Sequence, residues 1–192
     1  MDWASVFATV ITAVLFGLII VFVRSTTTGT IEVIAESGGA NNIRRTVIGP
    51  TVTGVWHGHN AEWKFRGGSL GHRCVVSIAV DAEVDVVVRP RGTLNKLDIA
   101  GPPTVQVAGY PDISIRSTDA AFAERILGAA SVRESIGEAL TDGRDVLRIG
   151  RTSIEVTRTV GDIDDRPMAL MKAQALAMAV CEELSALRER SP

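Results

Sequence analysis

The sequence has no excess charge of either sign and no cluster of basic residues. Twenty Lys and Arg residues against 22 Asp and Glu residues give a net charge of −2 over 192 residues. Nucleic-acid-binding domains normally show a basic patch or stripe, so we expect no nucleic-acid partner. The chain has only two cysteines, Cys74 and Cys181. They could pair with each other, or stay free and buried within their apolar runs.

Motifs of several catalytic classes are also missing. The sequence contains no Gly-x-Ser-x-Gly elbow, P-loop, Gly-x-Gly-x-x-Gly or His-Glu-x-x-His. The glycine-rich stretch GGSLGH, residues 67–72, lacks the lysine and the strand-to-helix context of a phosphate-binding loop. The sequence therefore favours a protein that is not an enzyme, with no catalytic, cofactor-binding or metal-binding residues assigned and no cofactor.

One long apolar run stands near the N-terminus. Residues 3–23, WASVFATVITAVLFGLIIVFV, contain no charge, proline, Asn or Gln. About 20 apolar residues in a helix cross a hydrocarbon core of about 30 Å, and buried helices of soluble proteins rarely run so long without a polar face. No basic segment precedes the run and no small-x-small site ends it, which argues against a cleaved signal peptide. The pattern predicts an uncleaved transmembrane helix.

This helix sets the predicted location and domain organisation. Basic residues follow it at Arg24, Arg44 and Arg45, which places the rest of the chain in the cytoplasm by the positive-inside rule. We expect a single-pass protein of the cell (inner) membrane that contacts the lipid bilayer through residues 3–23. The predicted divisions are a transmembrane anchor (1–24), a tether (25–30) and an α+β domain (31–192).

Alternation of apolar and polar residues predicts β-structure over much of the remaining chain. Gly58 lies where a hairpin within residues 51–65 would reverse. Asp81, Glu83 and Asp85 alternate with apolar residues and are predicted to form the solvated outer face of a strand. A calcium loop is disfavoured there, because valine replaces the glycine that an EF-hand turn needs. Strands are predicted at residues 43–49, 51–65, 72–80, 83–90, 94–101, 112–117, 145–150 and 152–160, and residues 31–37 fit either a helix or a strand.

Helical spacing appears in three later segments. Thr118 or Asp119 is predicted to cap a short helix that Gly128 ends, and Ser131 with Glu134 forms a capping box that would begin a second short helix. A long final helix follows Asp164 or Asp165, with Pro167 in its first turn. Its apolar face, interpreted as covering a sheet rather than forming a coiled coil, comprises Leu170, Ala173, Ala177, Val180, Leu184 and Leu187, widened by Met171 and Met178. The fold class is thus α+β: an N-terminal single transmembrane helix followed by an antiparallel-sheet domain with two short helices and one long C-terminal helix.

The candidate chemistry is concentrated in residues 54–74, GVWHGHNAEWKFRGGSLGHRC. His57, His59, His72 and Cys74 are the donor types that zinc prefers, but structural zinc sites usually draw on cysteine-rich pairs with two to four intervening residues. His72 and Cys74 are two residues apart on a predicted strand and therefore share a face. We interpret the segment as a hairpin, and a metal site requires that the histidines at its tip reach this pair.

Certain segments resemble a family of uncharacterised bacterial membrane-anchored domains. The resemblance rests on Gly54-Val-Trp56-His-Gly58, on YPDISIRSTDAAFAERIL, and on VRESIGEAL followed by DVLRIGRTSIEV. It implies an α+β domain on a membrane anchor and carries no known activity.

The sequence thus favours an accessory or protein-interaction subunit, whose partner is another membrane or cytoplasmic protein. Two alternatives stay open: a membrane-tethered metal-binding domain or enzyme that uses His57, His59, His72 and Cys74, and a small-ligand sensor.

Overall fold

The computed structural model describes residues 3–46, 49–68, 71–82, 84–91 and 102–190. The helices are α1 (Trp3–Ser37), α2 (Ala120–Gly128), α3 (Ala130–Ala139) and α4 (Arg166–Arg190). The strands are β1 (Asn41–Arg45), β2 (Thr51–Trp56), β3 (His59–Gly68), β4 (Gly71–Ala79), β5 (Val86–Pro90), β6 (Thr104–Val105), β7 (Ile113–Ser117), β8 (Val146–Ile149) and β9 (Ser153–Val160).

The strands form one antiparallel sheet in the order β1-β2-β3-β4-β9-β8-β5-β7-β6. Helix α1 packs against β1, β2 and β3, and α4 packs against β4 and β9. Helices α3 and α2 continue the helical layer from α4. The α+β class and the antiparallel sheet were expected from the sequence, and the structure confirms both.

Strict alternation along the strands puts one residue in two under the helices. In β2 the buried residues are Val52, Gly54 and Trp56, and the residues between them are half-buried. In β9 the same alternation buries Ile154 and Val156. These inward residues join the buried faces of the helices in one hydrophobic core. Removing apolar surface from water, which gains about 25 cal/mol per Å², is the main stabilising contribution in such a layered fold.

Helix α4 begins at Arg166, with Pro167 in its first turn, as predicted. Its apolar face covers the sheet, and Leu170, Ala173 and Ala177 are fully buried in the core. Met171, predicted to widen this face, is instead 46% exposed. A residue one position after Leu170 is turned by about 100° around the helix, which carries it away from the sheet.

The two short helices follow one another with a single residue between them. Asp119 caps α2 by accepting a hydrogen bond from the Phe122 backbone N–H at 3.0 Å. The predicted capping box of Ser131 and Glu134 is wrong, since α3 begins at Ala130 with Ala129 in the capping position and no side-chain cap. Because α3 follows α2 directly, it begins at Ala130, two residues before the position at which a helix capped by Ser131 would begin.

The N-terminal helix differs from its prediction. Residues 25–30, predicted as a tether, are helical, and α1 continues without a break to Ser37. Residues 31–37, left open between helix and strand, therefore form its last turns, where Ile31 and Ala35 are fully buried against the domain. Packing of this face, rather than local propensity, explains why the small polar residues before it stay helical.

The predicted membrane crossing is corrected. Within the part of the chain that the structure describes, none of the helices combines the length and the apolar character that spanning a bilayer requires. This finding contradicts the transmembrane anchor at residues 1–24, the single-pass description and the inner-membrane location. The predicted contact of residues 3–23 with lipid rested on the same transmembrane helix and loses that support.

In the middle of the chain, one predicted strand starts later than expected and another lies outside the described residues. Strand β5 begins at Val86, so Asp81 and Asp85 lie in the connection before it rather than on the outer face of a strand. The sheet register explains this, because the pairing of β5 with β8 starts at Val86 and Ile149. The strand predicted at residues 94–101 and the acidic residue Glu83 lie outside the described residues.

Candidate functional site

The histidine-rich hairpin reverses at Gly58, as predicted. The pair Trp56–His59 closes a two-residue turn, and His57 and Gly58 both adopt positive φ, 46° and 85°. Two successive positive φ angles are the mark of a type I′ turn, whose twist matches that of the flanking strands. The His57 ring stacks on Trp56 with centroids 4.4 Å apart and planes 6° from parallel. Stacking with Trp56 thus accounts for His57 as a packing residue of the turn.

The sheet register keeps the two halves of the candidate metal site apart. His59 begins β3 and its ring Nδ1 lies 2.9 Å from the Ala79 carbonyl oxygen. His72 pairs with Gly67, eight residues further along β3. At about 3.4 Å per residue the separation along the strand is about 27 Å, whereas zinc requires donors at about 2 Å. The four-residue site is therefore not formed, and the described residues contain no group of three potential ligands.

His72 and Cys74 do share a face, as predicted, and both contact the first residue of α4. An Arg166 guanidinium nitrogen makes a short hydrogen bond to His72 Nδ1, and the Cys74 thiol donates to the Arg166 carbonyl oxygen at 3.5 Å. The guanidinium also lies over the Phe65 ring, 5.7 Å from its centroid. Burial raises the pKa of the Cys74 thiol to about 12. A thiol held protonated in this way is a poor nucleophile, so the cluster anchors α4 on the sheet.

A buried carboxylate at the first position of the predicted strand 145–150 forms a second anchor. Asp145 is fully buried, and its two oxygens accept from the backbone N–H groups of Thr141 (3.0 Å), Asp142 (2.7 Å) and Thr159 (2.7 Å). Its carboxylate also lies 3.9 Å from the Arg158 guanidinium. Burial raises the pKa of Asp145, while the three backbone bonds and Arg158 act in the opposite direction. Both oxygens are engaged by these backbone groups, which tie the connection between α3 and β8 to β9.

Both cysteines are unpaired and buried. Cys181 lies in α4, and burial raises the pKa of its thiol to about 11. The sequence left open whether the two cysteines form a disulfide, and in the structure both thiols are free and buried.

The face of the sheet opposite the helices is left open by the described residues. We call this surface the open face. The strand register carries one row of residues across all nine strands, and each member is exposed or half-buried. In sheet order the row consists of Arg44, Thr53, Glu62, Ser77, Glu155, Arg148, Val87, Arg116 and Thr104.

The open face is concave toward its β1 end. A groove of about 720 Å³ lies over β1 to β4 and β9, and seven of the eleven residues that line it are polar. Val75, two residues from Ser77 on the same face, is only 3% exposed although it lies outside the hydrophobic core, as expected where a sheet curves around its own surface. The groove walls include Asn42, Arg44, Thr53, Asn60, Glu62, Ser77 and Ser153.

Comparison with known proteins bears on the fold alone. No protein-family model matches this chain, and no curated protein matches it. The fold is similar to the crystal structure of the mycobacterial trehalose monomycolate transport factor A, TtfA, with a TM-score of 0.50. The two sequences are 14% identical, and the match covers 80% of this chain and 95% of that chain. The chain therefore shares its architecture with a solved α+β structure, whereas its function has to be argued from its own surface.

Proposed function

We propose that this protein is an accessory subunit that binds another protein through the open face and performs no chemistry itself. The row of exposed and half-buried residues that crosses all nine strands, polar at every position except Val87, carries the proposal. Nine strands spaced by about 4.8 Å span about 38 Å, and five residues along a strand span about 17 Å. The resulting area of about 650 Å² is close to the roughly 800 Å² that one partner contributes to a standard protein interface.

The internal chemistry of the chain supports a binding role. The reactive groups that the sequence offered are engaged within the fold: His72 and Cys74 hold α4, and Asp145 holds the connection after α3. Active sites usually keep such groups at a cleft, where they reach a substrate. Here they lie beneath the helical layer instead.

The character of the groove favours a protein over a small molecule. Pockets for small ligands are mostly apolar and enclosed, with few polar groups. Seven of the eleven residues that line the groove on the open face are polar, and Val55, Ala61 and Ala79 are its main apolar contributors. A wide polar surface of this kind resembles the rim and water-containing regions of a transient protein interface. TtfA is named as a transport factor, and an accessory role for the present chain accords with that name.

Site-specific photo-crosslinking in cells of the native organism tests the proposal. A photoreactive amino acid replaces Thr53 or Ser77 on the open face, and Ala175, exposed on α4, provides the matched position on the opposite layer. We expect one adduct of defined mass from Thr53 and Ser77 that is absent from Ala175. Adducts of the same mass from both layers, or none from the open face, would overturn the proposal.

A further inference from the structure

The fold sorts the charges of the chain between its two faces. Seven basic and two acidic residues among those described point to the open face, a net charge of +5, which leaves 13 basic and 20 acidic residues, net −7, for the rest of the chain. The open-face charges are Arg44, Lys64, Arg66, Arg73, Arg89, Arg116, Arg148, Glu62 and Glu155. An acidic protein thus presents one basic surface.

The two acidic residues of this face already have basic neighbours on it. Glu62 forms a 3.0 Å ion pair with Lys64. Glu155 stands directly opposite Arg148 in the pairing of β8 with β9, at the short distance that favours opposite charges across a sheet. The five other basic residues match the positive excess: Arg44 and Arg116 lie in the row, and Arg66, Arg73 and Arg89 lie beside it.

Arg66 and Arg73 form the most informative part of this excess. They stand directly opposite each other in the pairing of β3 with β4, and both are exposed. Like charges in directly opposed positions destabilise a sheet. Among the residues that the structure describes, no carboxylate is paired with either of them. Each of these exposed guanidinium groups carries the fork of parallel N–H donors with which arginine binds a carboxylate bidentately.

We propose that the open face binds an acidic segment of the partner protein, with Arg66 and Arg73 as its main carboxylate-binding residues. This inference rests on the proposed function and adds the chemistry of the partner. The net charge of −7 on the rest of the chain disfavours an acidic partner there as a whole, so the charge distribution also favours docking on the open face.

Two features favour a protein segment over a nucleic acid. Single-stranded nucleic acids bind through aromatic side chains on which bases stack, and the aromatic residues of β2 and β3, Trp56, Trp63 and Phe65, point into the core. The row also places Glu62 and Glu155 at its centre, where they would repel a continuous phosphate backbone. A polypeptide can place its acidic side chains against the arginines and neutral ones between them.

Fluorescence anisotropy with the full chain tests the inference. The probe is a labelled peptide of about 12 residues, with glutamates toward both ends and serines between them, which spans about 40 Å when extended and matches the about 38 Å width of the row. We expect binding that weakens as salt rises from about 0.1 M to about 1 M, because the screening length falls from about 10 Å to about 3 Å. Arg73→Glu is expected to weaken binding by roughly tenfold or more at the lower salt.

The variant is chosen so that misfolding cannot mimic the result. Arg73→Glu replaces a repulsive pair with an attractive one opposite Arg66, so its melting temperature should not fall. Arg125→Glu, an equal charge reversal at an exposed position of α2, is the control and should leave binding unchanged. Equal peptide affinity in all three proteins would overturn the inference, and so would tighter binding of an oligothymidine of equal charge. Neither result would change the crosslinking pattern that tests the proposed function.

Discussion

Trp63 and Gln174 lie 111 residues apart in the sequence and meet in the core, where the indole Nε1 donates a 2.7 Å hydrogen bond to Gln174 Oε1. The amide nitrogen of the same glutamine donates to the Ile34 carbonyl oxygen at 3.2 Å. One buried side chain therefore links the sheet, α4 and the end of α1. Both polar atoms of the amide are satisfied, as buried polar groups require.

Replacing Gln174 by Met should destabilise the protein. The volume is nearly kept, but the Trp63 N–H loses its acceptor inside the core. The Ile34 carbonyl keeps the Gly38 N–H and the Ser37 hydroxyl as donors. One unsatisfied buried donor costs about 1–3 kcal/mol, so we expect the free energy of unfolding to fall by that amount in urea titrations. Gln106→Met, the same change at an exposed position, is the control and should have little effect. Equal stability of the two variants would show that the link is not important for folding.

Gly38→Ala should also be destabilising, for a steric reason. A Cβ at residue 38 would lie 1.9 Å from Gln174 Nε2, and relieving such overpacking costs about 1–3 kcal/mol. The penalty should shrink in a Gln174→Ala background, which a double-mutant cycle measures. Gly29→Ala is the matched control, because nothing lies within 4 Å of its Cβ position and alanine favours a helix over glycine by up to about 1 kcal/mol. A loss of stability at both positions would contradict the contact.

Asp145→Asn should lower the free energy of unfolding by about 1–3 kcal/mol near neutral pH, because an amide NH₂ would face backbone N–H donors. The pKa of Asp145 is raised by burial. Its contribution to stability is therefore fully present below the unfolded Asp value of about 3.9 and is lost as the pH rises through the higher folded value. The stability difference between wild type and variant should thus be larger in acid than at pH about 7.

Urea titrations at several pH values measure this difference, and Asp112→Asn at an exposed position provides the control. A difference that grows with pH would mean that the backbone hydrogen bonds outweigh burial in setting the Asp145 pKa.

The native cysteines should resist thiol reagents. With a pKa of about 12 for Cys74, the thiolate fraction at pH about 8 is more than about a thousandfold lower than that of an exposed thiol with its usual pKa of about 8.5. Reaction with Ellman's reagent should therefore await unfolding. Thr104→Cys, at an exposed edge position, should add one rapidly reacting thiol. A fast phase in the native wild type would contradict the buried placement.

Zinc should not stabilise the protein. About 27 Å separates His59 in β3 from His72 in β4 along the direction of the paired strands. Neither end of the hairpin therefore holds enough donors for a zinc ion, and equimolar zinc is expected to leave the melting temperature of the wild type unchanged. Bound zinc is measured by atomic absorption in the same samples, with His57→Ala and His72→Ala as comparison. Stoichiometric zinc that is lost in both variants would show that the two ends of the hairpin meet.

Local patterns in the sequence predicted the elements whose determinants lie close together. The reversal at Gly58, the cap at Asp119 and the buried face of α4 follow from turn chemistry and from periods of two or of three to four residues. The predictions failed where a contact outside the local segment decides its structure. Ser131 has the spacing of a cap, yet α3 begins earlier because it follows α2 directly.

Asp145 shows the same limit for polar residues. The turn TDGRD was visible in the sequence, but only pairing with β9 brings the Thr159 N–H to its carboxylate. An aspartate in a turn is usually exposed, and no local signal separates this one from the others.

The sequence by itself determined the alternation of strands such as β2 and β9, the long C-terminal helix and the tip of the hairpin at Gly58, because these depend on residues that are close together in the chain. The tertiary structure decided which charges share a surface. Arg66, Arg73 and Arg148 become members of one basic face only because β9 and β8 follow β4 in the sheet. Strand order and register arise from burying one common core, and no window of the sequence contains that information.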